Sequence, residues 1–181
     1  FLTTTATFLY LEQMRLVGEQ ILSPEGRTRL FALIDLVVNV LTFLMQVTVT
    51  SRVIRRFGLA SALVVLPVAS AIGFGVIGVM PFLVVFILFT VVRRVGEYAL
   101  AKPAREVLFT VVSREEKYKA KNFIDTAVSR GGDATTGWIV SGVKALGVTA
   151  GQMAWVLVPL ALLWGWVGWF LARQEEKLRG G

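Results

Sequence analysis

The 181-residue sequence contains no cysteine and no histidine. Without cysteine the chain forms no disulfide bond, and its composition carries no information about the redox compartment. Without histidine it lacks the commonest metal ligand and the side chain that most often relays protons near neutral pH. Proton transfer or catalysis would have to use carboxylates, lysines and hydroxyl groups. We therefore expect a protein that is not an enzyme and has no catalytic residues, metal site or cofactor.

Long polar stretches are also missing. None exceeds about 25 residues, which is well short of a soluble domain. Hydrophobic residues make up 55% of the chain, too large a share for one soluble core of this size. The chain starts at Phe1 inside an apolar run, without the charged region or cleavage site of a signal peptide. We expect residues 1–181 to form one unit, a fragment of a longer chain.

Apolar runs fill most of the sequence, and they predict membrane-spanning helices. All but the first approach the roughly 20 residues that an α-helix needs to cross about 30 Å of hydrocarbon. The prediction is an all-α membrane protein with six transmembrane helices, in contact with membrane lipid. The runs cover residues 1–17, 30–50, 59–79, 81–101, 123–143 and 152–172.

The positions of the Lys and Arg residues predict the orientation of these helices. If the first helix runs outward, twelve cations fall in the cytoplasmic loops and the C-terminal tail, whereas only Arg27, Arg29 and Lys144 fall outside. Cytoplasmic loops are the ones enriched in Lys and Arg. We therefore expect a multi-pass protein of the bacterial inner (plasma) membrane with both ends in the cytoplasm. Topology then explains the net charge of +7, and we predict no binding of nucleic acid.

Small residues in two of the runs predict close helix packing. Ala69 and Gly73 have the small-x-x-x-small spacing, as do Ala71 and Gly75, and the last run contains Gly165 and Gly168. This spacing lets helix backbones approach closely in lipid. We interpret these glycines as packing residues.

Charged residues inside the apolar runs are expected to face a polar interior, because an unpaired ion in lipid is costly. Some have the spacing of intrahelical ion pairs: Arg15 with Glu12 and Glu19, and Arg93 with Glu97. Pairs of this kind either fix packing or line a pathway for a solute, and the sequence leaves both interpretations open for each pair. A set spread over four helices favours a pathway.

The remaining polar positions are the candidates for substrate binding. Arg94 begins a stripe along the fourth helix, and Lys121 begins one that enters the membrane on the fifth. The fourth helix is expected to end at Pro103, and a capping box at Ser113 is expected to start the fifth. The candidate residues are Asp35, Asn39, Arg94, Tyr98, Lys102, Arg105, Lys121, Asp125, Arg130 and Asp133.

Two resemblances appear at these residues. The predicted loop Ser51–Gly58 keeps Arg52, Arg56, Phe57 and Gly58 of a loop typical of the major facilitator superfamily. With six helices and cytoplasmic ends, the chain resembles the C-terminal half-bundle of such a transporter. That resemblance implies a missing N-terminal six-helix half as the partner and transport by alternating access.

A sharper resemblance covers about 30 residues. Lys102-Pro103-Ala104-Arg105-Glu106 and the segment 117–125, which ends in Ile124-Asp125, are similar to motifs of the ATP/ADP (nucleotide) translocase family. The resemblance implies exchange of organic anions such as ATP and ADP. Asp133 stands where that family has a lysine, and Arg130 supplies a cation nearby. The alternatives are a transporter of another small solute and a membrane scaffold that does not transport.

Overall fold

The computed structural model describes residues 2–108, 138–139, 142 and 145–179. These residues are helical with short connections and contain no strand, which confirms the all-α class. Four candidate residues (Lys121, Asp125, Arg130 and Asp133) and the predicted capping box at Ser113 lie outside the described residues. The α-helices are α1 (Leu2–Gln20), α2 (Pro24–Met45), α3 (Ser51–Val79), α4 (Leu83–Gly96), α5 (Lys102–Leu108) and α6 (Ala150–Arg179). Two π-helical turns, π1 (Gln46–Thr50) and π2 (Glu97–Ala101), join α2 to α3 and α4 to α5.

Side chains cap both helix ends at the short connection between α1 and α2. Ser23 caps α2, its hydroxyl oxygen accepting a hydrogen bond from the amide of Gly26 at 3.2 Å. Arg27 turns back to α1 and donates to the carbonyl oxygens of Ile21 at 2.7 Å and Gly18 at 3.1 Å. A guanidinium group at a helix C-terminus satisfies carbonyls that have no partner in the helix and complements the helix dipole.

The segment Ser51–Gly58, predicted as a loop, is helical instead. It forms the first two turns of α3 and follows π1 without a break. The prediction rested on positive charge and on the resemblance, and arginine is a good helix former that does not end a helix. The hydroxyl of Thr48 in π1 donates to the carbonyl of Leu44, four residues earlier, at 2.6 Å.

The long helical path from Pro24 to Val79 nevertheless folds back on itself. A straight α-helix would separate Val38 from Leu66 by about 42 Å. Val38 packs against Val95, and Leu66 packs against Gly96, the next residue of α4. The chain therefore reverses direction between Val38 and Leu66, and both α2 and α3 lie against α4.

Pro103 does not end the fourth helical segment, contrary to the prediction. The chain continues from α4 through π2 into α5, with Pro103 as the second residue of α5. Proline is tolerated in the first turn of a helix, and the carbonyls that an amide at position 103 would reach lie in π2. The π-turn therefore allows the helical path to continue past a residue that would interrupt a regular α-helix.

Aromatic residues from three helices form the main core. Phe8 of α1 lies beside Phe74 of α3 and Phe86 of α4, with ring centroids 6.4 and 6.5 Å apart. Phe74 and Phe89 meet edge to face at 4.9 Å. Rings in such arrangements add to the stabilisation that burial provides. The cluster joins α1, α3 and α4, and Ala154 of α6 is buried in the same cluster.

Small residues let α6 pack closely along α3. Gly151 lies against the backbone of Gly78, and Gly165 lies against Pro67. The expected packing role is therefore confirmed for Gly165, whereas no described atom lies near Gly75. The contact at Gly78 also brings the turn between α3 and α4 to the same end of the bundle as the start of α6.

Two helical spans are long and apolar enough to cross a membrane: Pro24–Arg56 and Ala150–Phe170. Leu63–Val79 is apolar but shorter. The described residues therefore contain fewer such spans than the six predicted, because charged side chains interrupt the apolar pattern of α1 and α4. The predicted span 123–143 lies almost entirely outside the described residues.

Gly73 tests the packing of α3 against α4. A Cβ atom at Gly73 would overlap the ring of Phe89, whereas one at Gly75 would meet no described atom within 4 Å. We expect Gly73→Ala to lower the free energy of unfolding by about 1–3 kcal/mol through overpacking. Gly75→Ala should be neutral or stabilising by up to about 1 kcal/mol, because alanine favours helix. Chemical denaturation of the two variants measures both values, and equal effects would contradict the packing.

Candidate functional site

A polar cavity of about 1150 Å³ lies between α1, α2 and α4 and extends to π2 and the first residue of α5. Its apolar walls come mainly from α1 and α2, and its charged groups come mainly from α2, α4 and π2. The polar side chains that line it are Tyr10, Gln13, Arg27, Thr28, Asp35, Thr90, Arg93, Arg94, Glu97, Tyr98 and Lys102.

One ion pair crosses the cavity between two helices. The Arg94 guanidinium group on α4 donates to the carboxylate of Asp35 on α2 at 2.5 Å. The two side chains remain 29% and 58% exposed, so solvent and solutes have access to both. Exposed ion pairs contribute little to stability. This pair is therefore well suited to exchange partners with a charged solute.

A second ion pair is buried and lies within one helical segment. Arg93 donates to the carboxylate of Glu97 at 3.3 Å, which confirms the predicted pairing four residues apart. The Arg93 side chain is only 5% exposed and that of Glu97 19%. Nε of Arg93 has no hydrogen-bond partner within the part of the chain that the structure describes. Burial makes this pair far more sensitive to the loss of one partner than the Asp35–Arg94 pair.

Tyr98 and Lys102 form the end of the cavity near α5. The ammonium nitrogen of Lys102 lies 4.1 Å from the centroid of the Tyr98 ring. This distance is typical of a cation–π contact, which is weak at an exposed site. No carboxylate of the described residues pairs with Lys102. Lys102 and Arg27 are therefore the two described cations of the cavity without an ion pair.

Sequence reasoning missed polar residues of α1 and α4. Gln13 is buried and lines the cavity, and its side-chain carbonyl accepts from the hydroxyl of Thr90 at 3.4 Å. Thr90 lies four residues before Arg94, so extending the Arg94–Tyr98–Lys102 stripe backwards would have found it. Arg27 was assigned to an outer loop, and only the fold shows that it closes α1 and also lines the cavity.

The structure brings together four of the predicted site residues: Asp35, Arg94, Tyr98 and Lys102. Asn39 is exposed on α2 and is not part of the cavity lining. Arg105 lies on α5, and its side chain is not among those described.

The charged residues of α1 form a separate group. Arg15 donates to Glu12 at 3.1 Å and to Glu19 at 2.8 Å, which confirms that these residues share one face. Glu12 is fully buried, whereas Glu19 is exposed. None of these three side chains lines the cavity, so they are not part of the candidate site.

No protein-family model, curated protein or solved structure matches this chain. Within the described residues, no group of three or more acidic side chains could hold a metal ion. The function must therefore be argued from the cavity and from the motif residues themselves.

The two ion pairs should differ strongly in their effect on stability. Glu97→Gln leaves the buried guanidinium group of Arg93 without a counterion, and we expect the free energy of unfolding to fall by about 3 kcal/mol. Asp35→Asn removes one partner of an exposed pair and should lower it by no more than about 1 kcal/mol. Both substitutions remove one negative charge and keep the side-chain size. Similar effects in denaturant unfolding would contradict the difference in burial.

Proposed function

We propose that the protein is a membrane-embedded transporter of organic anions that works by alternating access. The observation that carries this proposal is a polar, cation-rich cavity inside a helical bundle whose outer surface is largely apolar. Charged residues within membrane-spanning segments usually mark the path of a substrate or ion.

The outer surface of α2 supports a position in the membrane. Leu36, Phe43, Leu44 and Val47 are each at least half exposed, although such side chains are usually buried in soluble proteins. Pro24–Arg56 and Ala150–Phe170 exceed the roughly 20 residues that cross a bilayer. Lipid would remove these apolar surfaces from water. The six-helix bundle with cytoplasmic ends is the arrangement that we propose for the whole sequence.

The charges of the cavity support an anionic substrate. Among the described residues of its lining, four are cations (Arg27, Arg93, Arg94 and Lys102) and two are carboxylates (Asp35 and Glu97). These described residues carry an excess of two positive charges, and their repulsion grows when water is replaced by protein and lipid. A bound anion would offset this excess. Arginine binds phosphate or carboxylate oxygens in a bidentate manner, and lysine binds them as a point charge.

The size of the cavity fits a substrate as large as a nucleotide. Sites for drug-sized ligands usually measure about 300–1000 Å³, and this cavity reaches about 1150 Å³. Tyr98 offers an aromatic ring beside Lys102, where a base would stack. Together with the translocase-like motifs at residues 102–106 and 117–125, these features favour exchange of nucleotides such as ATP and ADP between two six-helix halves.

A membrane scaffold that does not transport is the second candidate. It is favoured by one observation: Arg93 and Arg94 already have carboxylate partners within the protein. In that case the ion pairs would hold α2 and α4 together, and the cavity would have no substrate. A transport measurement separates the two candidates.

The membrane orientation is tested with single cysteines, because the native chain has none. Leu22 and Met80 are exposed in connections between helices, and Ser51 is exposed at the start of α3. We expect a membrane-impermeant thiol reagent to label Leu22→Cys and Met80→Cys from outside intact cells and Ser51→Cys only in inverted vesicles. Labelling of Met80→Cys and Ser51→Cys from the same side would overturn the topology.

Transport itself is tested by uptake of labelled nucleotides and other organic anions into proteoliposomes that contain the protein in its natural length. Arg94→Gln should lower the rate of uptake at least about tenfold, the effect of losing one charge-assisted hydrogen bond to a phosphate group. Arg29→Gln is the matched control, because Arg29 is exposed on α2 and does not line the cavity. Normal transport by the Arg94 variant would argue against the site.

The number of phosphate groups distinguishes a nucleotide from another anion. Lys102→Gln should weaken binding of nucleoside triphosphates more than binding of monophosphates, because each added phosphate increases the charge that Lys102 attracts. Binding should also weaken as salt rises, since the side chain of Lys102 is exposed. Equal losses for mono- and triphosphates would retain the transporter proposal but exclude the nucleotide. Absence of uptake for every anion tested would favour the scaffold.

A further inference from the structure

Side chains of π1 form hydrogen bonds with the backbone of π2. Pro103 has no amide proton, so one carbonyl oxygen of π2 loses the donor that another residue would supply. In α-helical pairing that donor would bind the carbonyl of Ala99, four residues earlier; in π-helical pairing it would bind that of Tyr98, five residues earlier. The π pairing is present one residue before, where the amide of Lys102 donates to the carbonyl of Glu97.

Both of these carbonyls receive a side-chain donor from π1. Nε2 of Gln46 donates to the carbonyl of Tyr98 at 3.1 Å. The hydroxyl of Thr50 donates to the carbonyl of Ala99 at 2.7 Å. Thr50 and Ala99 are buried, so water does not replace this hydrogen bond. Whichever of the two carbonyls Pro103 leaves without a backbone donor, a side chain about 50 positions away in the sequence donates to it.

The π pairing also decides which residues share the cavity. An uninterrupted α-helix turns about 100° per residue, so it would place Lys102 about 80° around the axis from Arg94. One π-helical turn accommodates one extra residue, which reduces this offset to about 20° in the opposite sense. Arg94, Tyr98 and Lys102 all line the cavity. The π-turn is what keeps Lys102 on the face of Arg94.

We propose that Gln46 and Thr50 are positioning residues that hold π2 in its π-helical register and thereby keep Tyr98 and Lys102 directed into the cavity. They act on the backbone carbonyls of π2 and do not line the cavity themselves. The functional importance of the cavity rests on the proposed function. The effect of Gln46 and Thr50 on the register of π2 does not depend on it. Gln46 and Thr50 are polar residues of π1, and neither takes part in the ion pairs described above.

Hydrogen exchange measured by mass spectrometry tests the proposal without any substrate. Thr50→Val removes the hydroxyl at nearly constant size, and we expect amides of Leu100, Ala101 and Lys102 to exchange about five- to tenfold faster, as when one buried hydrogen bond is lost. Thr50→Ser keeps the hydroxyl and should exchange like the native protein. Thr48→Val is the matched control, because the Thr48 hydroxyl bonds only within its own helix, to Leu44.

A second variant separates positioning from general stability. Pro103→Ala restores one amide proton, which α-helical pairing directs to the carbonyl of Ala99 in place of the Thr50 hydroxyl. In the Pro103→Ala background, Thr50→Val should therefore have little effect on exchange. An undiminished effect there, or an equal effect of Thr48→Val and Thr50→Val, would mean that Thr50 stabilises the bundle generally, and the proposal would be wrong.

The orientation of residue 102 is read directly with a thiol reagent. In a Lys102→Cys protein, a cationic, water-soluble reagent should label the cysteine at a different rate when Thr50→Val is added and at an unchanged rate when Thr48→Val is added. Equal rates in all three proteins would contradict the link between Thr50 and the cavity. Because neither exchange nor labelling needs a substrate, absence of anion transport would overturn the proposed function and leave this result intact.

Discussion

The hydrogen bonds from π1 to π2 join the two long helical segments where each departs from α-helical pairing. Gln46 and Thr50 supply the donors, and the carbonyls of Tyr98 and Ala99 accept them. A buried carbonyl without a donor costs about 1–3 kcal/mol, so Pro103 would be unfavourable at its position without these partners. The contact allows α4, π2 and α5 to form one helical path along the wall of the cavity.

The two ion pairs of the cavity have different physical roles because they differ in burial. The Arg93–Glu97 pair is largely removed from solvent and lies within one helical segment, where breaking one partner is strongly destabilising. The Asp35–Arg94 pair joins two helices but remains accessible, and accessible pairs exchange partners at low cost. An anion entering the cavity would therefore compete for Arg94 before Arg93. This ordering is the physical basis of the proposed transport site.

Much of the local structure could be predicted from residue spacing. The pairs of Arg15 and of Arg93 follow from separations of three and four residues on one helix, and these are properties of any α-helix. The boundary between α3 and α4 also agrees with the sequence, because the predicted apolar runs 59–79 and 81–101 are separate. The predicted breaks at Ser51–Gly58 and Pro103 were wrong, since charge does not end a helix and a distant donor can compensate for a proline. Six spans were expected, and two meet the requirements of length and composition among the described residues.

The sequence by itself determined the all-helical class, the apolar surface and the stripe of Arg94, Tyr98 and Lys102, because these depend on composition and on helical periodicity. Only the tertiary structure decided that Asp35 faces Arg94, that Arg27 and Gln13 join the cavity, and that Gln46 and Thr50 meet π2. Those contacts join residues up to 77 positions apart. They depend on where the chain reverses direction and on how helices pack, and no local pattern encodes either.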